Sequence, residues 1–169
     1  ASASAVAHST SPSSWYSLAR AVNWLVTDAQ ATWSVELACV WLLPASGLIK
    51  YCVAGDKISV GQINESGTWS EFERCQMPTI GKARGFSYAS KAETLGPESI
   101  LALMSDGFEH QRNAAGEAFG RARVAECLID TAGMAVNLML SEIVQEMDEF
   151  VREGQAPEDG TIVLASRRA

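Results

Sequence analysis

The sequence has little positive charge. Thirteen Lys and Arg residues stand against 20 Asp and Glu, for a formal net charge of −7. No basic patch breaks that balance, which argues against a nucleic-acid-binding face. Long apolar runs are also missing. The longest, Leu37 to Leu43 with its neighbours, is strand length, well short of the roughly 18–20 residues of a membrane span. Histidine is scarce: His8 and His110 are the only two and lie far apart, so each reads as a surface or capping residue. No G-x-S-x-G, H-E-x-x-H, Walker or G-x-G-x-x-G pattern occurs. Gly81-Lys82-Ala83-Arg84-Gly85 has a phosphate-friendly composition without the Walker spacing and reads as a loop.

Cysteine is sparse and scattered. Cys39, Cys52, Cys75 and Cys127 are 13, 23 and 52 positions apart, and no C-x-x-C exists to mark a zinc or thioredoxin-type site. Four cysteines could form two disulfides in a secreted protein. Cys39 and Cys52, however, sit in apolar strand-like runs where buried free thiols are common. Reduced cysteines and a cytoplasmic setting are therefore expected, and the Asn64-Glu65-Ser66 glycosylation pattern then carries no meaning. Residues 1–12 are small and polar and lack the positive start and apolar core of a signal peptide.

What remains is a 169-residue chain, 47% hydrophobic and 20% charged, the size and composition of one globular domain. No repeat or linker divides it, so residues 1–169 are expected to form a single domain. Ser11-Pro12-Ser13-Ser14 is a helix start. After it Trp15, Leu18, Ala19, Val22, Leu25 and Val26 fall at helical spacing. Val35–Leu43 and Leu48–Val53 read as a hairpin around Pro44-Ala45-Ser46-Gly47. Strands are predicted at Ile58–Ile63, Trp69–Phe72, Phe86–Ala92 and Ile100–Met104. Helices follow over Phe119–Ile129 and from Leu140 to Val151, the second with Glu142, Glu146 and Glu149 on a solvated face. Thr161–Ser166 is a last strand. Grouped strands and grouped helices predict an α+β layered fold with mostly antiparallel strands.

Acids mark two strand ends. Asp106 directly follows the apolar strand Ile100–Met104. Glu158 and Asp159 directly precede Thr161–Ala165. If these strands are antiparallel neighbours, the carboxylates converge at one sheet edge. Clustered carboxylates suit a hard cation such as magnesium, manganese or calcium. Both could equally be turn acids, since Asp-Gly is a frequent turn pair.

The arrangement resembles the bacterial SpoIIE-type branch of the metal-dependent (PPM, type 2C) serine/threonine phosphatases. Ile100-Leu101-Ala102-Leu103-Met104-Ser105-Asp106-Gly107-Phe108-Glu109 is similar to the family's apolar strand ending in Thr/Ser-Asp-Gly. Gly116-Glu117-Ala118-Phe119-Gly120 is similar to its phenylalanine-glycine loop. Glu158-Asp159-Gly160-Thr161-Ile162-Val163 resembles the closing Asp-Asp-x-Thr motif. Ala54-Gly55-Asp56 stands where the family usually has Ala-Gly-His, and Pro78-Thr79-Ile80-Gly81 resembles its Pro-hydrophobic-Gly loop. The likeness runs from about Ser14 onwards. Each motif is short, and order and spacing carry the weight.

The resemblance implies an α-β-β-α sandwich and a cleft holding two Mn²⁺ or Mg²⁺ ions. It makes Asp106 a metal ligand, with Glu158 or Asp159 as the second carboxylate and Gly107 turning the backbone tightly beside the metals. It also implies hydrolysis of phosphoserine or phosphothreonine on a small bacterial signalling regulator, of the anti-sigma-factor-antagonist type, often as the output end of a response regulator with an upstream receiver or sensor domain. Two departures stand out. The family's early Gly-Asp and Asp-x-Ser-Gly-His-Gly motifs are not in the chain. Ala1-Ser2-Ala3-Ser4-Ala5 looks like the small-residue helix that follows that first motif, so the chain is expected to start part-way through the domain, without its first strands. Glu158 occupies the position of the final aspartate ligand. These departures support an alternative: a catalytically inactive adaptor domain that binds a sigma-factor or anti-sigma-factor regulator.

Overall fold

The computed structural model of the chain describes residues 13–29, 33–152 and 159–168. His8, the small-residue stretch at Ala1–Ala5 and Glu158 lie outside them. The chain divides into two compact units, one built on Ser59–Phe72 and Leu95 onwards, the other on the residues up to Ile58 together with Glu73–Thr94.

In the second of these units, α1 spans Ser13–Asp28. β1 (Leu37–Leu43) and β2 (Leu48–Ala54) form the predicted hairpin, paired antiparallel from Leu43↔Leu48 to Leu37↔Ala54. Gly47 closes its turn at φ 72°, a conformation that glycine adopts without steric cost. β3 (Ile58–Ile63) and β4 (Trp69–Glu71) come next in the chain, and β5 (Lys91–Thr94) completes a three-stranded sheet in the order β1-β2-β5. Ala19, Val26, Cys52, Ala54, Met77, Ile80 and Tyr88 form the buried core of this unit.

The buried face of α1 differs from the apolar count. Leu25 is 59% exposed, whereas Asn23 is 1% exposed. Asn23 is buried because it binds a loop. Its Oδ1 accepts from the Gly81 N–H at 2.8 Å and the Tyr88 hydroxyl at 3.3 Å, and its Nδ2 donates to the Ala83 carbonyl at 3.0 Å. The Gly81–Gly85 segment is thus a tethered loop, as its spacing suggested. The strand predicted over Phe86–Ala92 begins only at Lys91. Its period-two alternation has another cause: Phe86 and Tyr88 pack edge to face at 5.1 Å, with Tyr88 buried against Asn23. Beside β2, the Glu36 carboxylate accepts from the Lys57 N–H and the Thr79 hydroxyl and fills the space that a Cβ on Gly55 would take. Any side chain at position 55 would collide with it.

The other unit holds a four-stranded sheet in the order β4-β3-β6-β7, with β6 at Ile100–Ser105 and β7 at Ile162–Ser166. Three helices belong to it: α2 (Gly107–His110), α3 (Gly120–Asp130) and α4 (Val136–Val151). α4 starts four residues before the predicted Leu140, and its core contacts are Met139 and Ile143, while Leu140 is partly exposed. Glu142, Glu146 and Glu149 face solvent as expected. Ile63, Ile100, Ala102, Met104, Phe108, Phe119, Val124 and Leu128 complete this core. No helix among the described residues is long and apolar enough to cross a membrane. The four cysteines are free thiols.

Candidate metal centre at the β6–β7 edge

β6 and β7 pair antiparallel, from Ile100↔Ser166 to Met104↔Ile162. The ladder continues one step further. The Ser105 N–H donates to the Thr161 carbonyl at 2.9 Å, and the Thr161 N–H donates to Ser105 Oγ at 2.9 Å. Ser105 therefore closes the strand pair with both its backbone and its hydroxyl. The chain then turns, and Asp106-Gly107 comes to lie beside Asp159-Gly160.

Two glycines permit that contact. A Cβ on Gly107 would fall on the Asp159 carbonyl oxygen, 2.9 Å from its carbonyl carbon and 3.1 Å from the Gly160 Cα. A Cβ on Gly160 would fall 2.9 Å from the buried Phe108 ring. Gly107 lies in the first turn of α2. Its role is close approach of two backbones, and the tight turn expected from the sequence is a helical one.

Asp106 occupies the N-cap position of α2, at φ −65° and ψ −13°, but makes no capping hydrogen bond. Asp106 thus does not serve as the helix cap, the usual structural role of an aspartate there. Its carboxylate is 23% exposed, and His110 Nδ1 lies 3.6 Å from Oδ2, one helical turn on. Asp159 is exposed.

An ion-pair chain that gave no sign in the sequence flanks Asp106. Arg121, at the start of α3, donates from Nε to Glu109 Oε2 at 2.8 Å, and its Nη1 lies 3.7 Å from Glu71 Oε2. Glu71 Oε1 accepts from the Ser59 hydroxyl at 3.1 Å. The Glu109 hydrogen bond drives the Arg121 pKa above its ordinary value; partial burial opposes this, and the charges of Glu109, Glu71 and Asp106 reinforce it. Glu109, Arg121 and Glu71 come from α2, α3 and β4, and no periodic pattern links them.

The donor chemistry suits part of a hard-cation site. The backbones that carry Asp106 and Asp159 meet at one sheet edge, and carboxylate oxygens there would favour magnesium or manganese. Among the described residues, no group of three or more His, Cys, Asp or Glu side chains is placed to hold a metal ion.

The fold has known relatives. The chain superposes on the PP2C domain of SiaA from Pseudomonas aeruginosa with a TM-score of 0.64 and 21% identity, over 94% of this chain and 70% of that one. Against a Mycobacterium tuberculosis structure containing RsbU and RsbW domains, the TM-score is 0.68 at 18% identity, over 97% of this chain and 50% of the other. Against the phosphatase domain of SpoIIE from Bacillus subtilis it is 0.60 at 13% identity, over 98% and 77%. These likenesses bear out the α+β fold with antiparallel sheets read from the grouping of strands and helices along the chain. No curated protein matches the sequence. The profile of the family described as Stage II sporulation protein E (SpoIIE) matches residues 3–168, and the chain belongs to that family.

Proposed function

We propose that this chain is the phosphatase domain of a bacterial signalling protein that removes phosphate from phosphoserine or phosphothreonine on a protein regulator of the anti-sigma-factor-antagonist type. The observation that carries the reading is the meeting of Asp106-Gly107 with Asp159-Gly160 at the closed end of the β6–β7 pair. Asp106 and Asp159, with Glu158, are the carboxylates that would hold Mn²⁺ or Mg²⁺. Such ions, when bound, lower the pKa of water and neutralise charge building on a phosphoryl group. In support of this reading, Ser105 and Gly107 fix where the two aspartate-bearing backbones stand, which would lower the cost of ordering the donors around an ion. Family membership and the likeness to named phosphatase domains support the reading.

The adaptor alternative has one observation in its favour: His110 stands 3.6 Å from the Asp106 carboxylate, so when protonated it would supply a positive charge there from within the chain. One experiment separates the two. Phosphate release from a phosphoserine peptide is measured for the full-length protein with and without manganese, beside Asp106→Asn. The phosphatase reading expects manganese-dependent turnover that Asp106→Asn abolishes. An inactive protein that binds a sigma-factor regulator equally well with and without the substitution would establish the adaptor.

A further inference from the structure

The Arg121 side chain is half-exposed, yet it is held at two points. Nε is hydrogen-bonded to Glu109, Nη1 faces Glu71, and Glu71 is held in turn by Ser59. A guanidinium offers five N–H donors in a fixed plane. Among the described residues, Nη2 of Arg121 makes no hydrogen bond.

The plane is anchored close to the candidate site. Glu109 stands three positions after Asp106 on the same short helix, a spacing that sets side chains next to one another. The guanidinium that Glu109 holds is therefore brought to the Asp106 side of α2, and Asp106 is among the three acids whose charge acts on it. Arginine forks receive oxyanions bidentately when part of the fork is left open. Glu109 and Glu71 immobilise the side chain in advance, so a ligand need not meet the cost of ordering it.

We propose that Arg121 binds the phosphoryl oxygens of the substrate beside Asp106. The proposal rests on the phosphatase reading above and names the group that recognises the phosphoryl moiety. A phosphate monoester brings negative charge to an edge already lined by Asp106, Glu109, Glu71 and Asp159. A fixed cation there offsets the repulsion. Arg121 makes and breaks no covalent bond; it binds and orients.

The test compares Arg121→Gln and Arg121→Lys with wild type in the full-length protein. Calorimetry with manganese alone gives the metal affinity. Calorimetry with inorganic phosphate on the manganese-loaded protein gives anion affinity, and a phosphoserine peptide gives KM and kcat. Losing a charge-assisted hydrogen bond at a binding site costs about ten- to a hundredfold. Arg121→Gln is expected to weaken phosphate binding and raise KM by a factor in that range, while manganese affinity stays within about twofold of wild type. Lysine keeps a point charge without the fork, so Arg121→Lys is expected to recover only part of the loss. Unchanged KM and phosphate affinity in Arg121→Gln, beside an active wild type, overturn this proposal alone. So does a fall in manganese affinity that matches the fall in phosphate affinity, since Arg121 then only positions Asp106. A wild type with neither manganese binding nor turnover overturns the phosphatase reading and this proposal with it. Should Arg121→Gln melt below assay temperature, Arg121→Lys decides: a clear rise in KM supports phosphoryl binding, and an unchanged KM overturns it.

Discussion

Replacing Gly107 by alanine places a methyl group onto the Asp159 carbonyl oxygen, 2.9 Å from the carbonyl carbon and 3.1 Å from the Gly160 Cα. Two effects oppose each other. Gly107 is helical, and alanine in an open helical position is better than glycine by about 1 kcal/mol. Overpacking against a fixed backbone costs about 1–3 kcal/mol or more. Here the atoms struck are backbone, which cannot swing aside as a side-chain tip can. That puts the clash in the upper part of its range, so it wins, for a net loss of about 1–2 kcal/mol, and for a chain of this size each kcal/mol moves Tm by about 2–4 °C. Relief of the clash must also push the Asp159 segment away from Asp106, and displaced support of metal ligands typically costs about 10–100-fold in affinity. Thermal melting and manganese titration by calorimetry read the two consequences. Gly116→Ala is the control: nothing lies within 4 Å of its Cβ, but its φ of 81° strains any side chain, so it should lower Tm without changing manganese affinity. A Gly107→Ala protein that melts higher than wild type would refute the contact, because helix propensity would then be the only effect at work.

Asn23→Leu is expected to cost about 2–4 kcal/mol by leaving the Gly81 N–H, Ala83 carbonyl and Tyr88 hydroxyl without their partner, and to open the Gly81–Gly85 loop to trypsin at Lys82 and Arg84; urea unfolding and limited proteolysis check it. Phe108→Ala removes a buried ring that packs against Gly160 and should cost about 3–5 kcal/mol, read by thermal melting. Alkaline stability follows from groups that burial raises. Cys52 and Tyr51 are pushed up to about 12, and Cys127 to about 11, from ordinary values of 9.0 for the thiols and 10.0 for tyrosine. The native state favours their neutral forms, so this stability is complete below about pH 9 and is lost as pH rises from about 9 to 12; a urea midpoint that stays level across that window would contradict it.

Much of the fold was legible because its signals are local. The β1–β2 hairpin declares itself by two apolar runs around Pro44-Ala45-Ser46-Gly47, and the structure pairs Leu43 with Leu48 across that turn. The alternation at Phe86–Tyr88 misled for a physical reason. Period two shows only that alternate side chains share a face, and an extended segment packed on Asn23 satisfies that without a partner strand. Leu25 misled in the converse way. Helical spacing placed it on the α1 stripe, but Asn23 took the buried position through three hydrogen bonds that no hydrophobic count registers. The Glu109–Arg121 pair joins residues twelve positions apart on two different helices, so it becomes visible only once the chain is folded.

The candidate site shows where sequence reasoning reached its limit. Asp106 and Asp159 were legible as acids at the ends of apolar strands. Their meeting required a register, and hydrophobic pattern does not supply one here. β6 is buried almost throughout, so its sequence carries little alternation to tell one register from the next. The register is instead fixed at the end of the ladder. Ser105 exchanges hydrogen bonds with Thr161 through backbone and hydroxyl, and Gly107 admits the Asp159 carbonyl only in that alignment. A slip of one residue would move Asp159 about 3.3 Å along the strand. It would also present the side chain of Thr161 or Glu158 to the surface that Gly107 leaves bare. The Ser-Asp-Gly and Asp-Gly-Thr stretches thus do two things with the same residues: they bring the backbones of two aspartates to one sheet edge, and they fix the strand alignment in which those backbones touch.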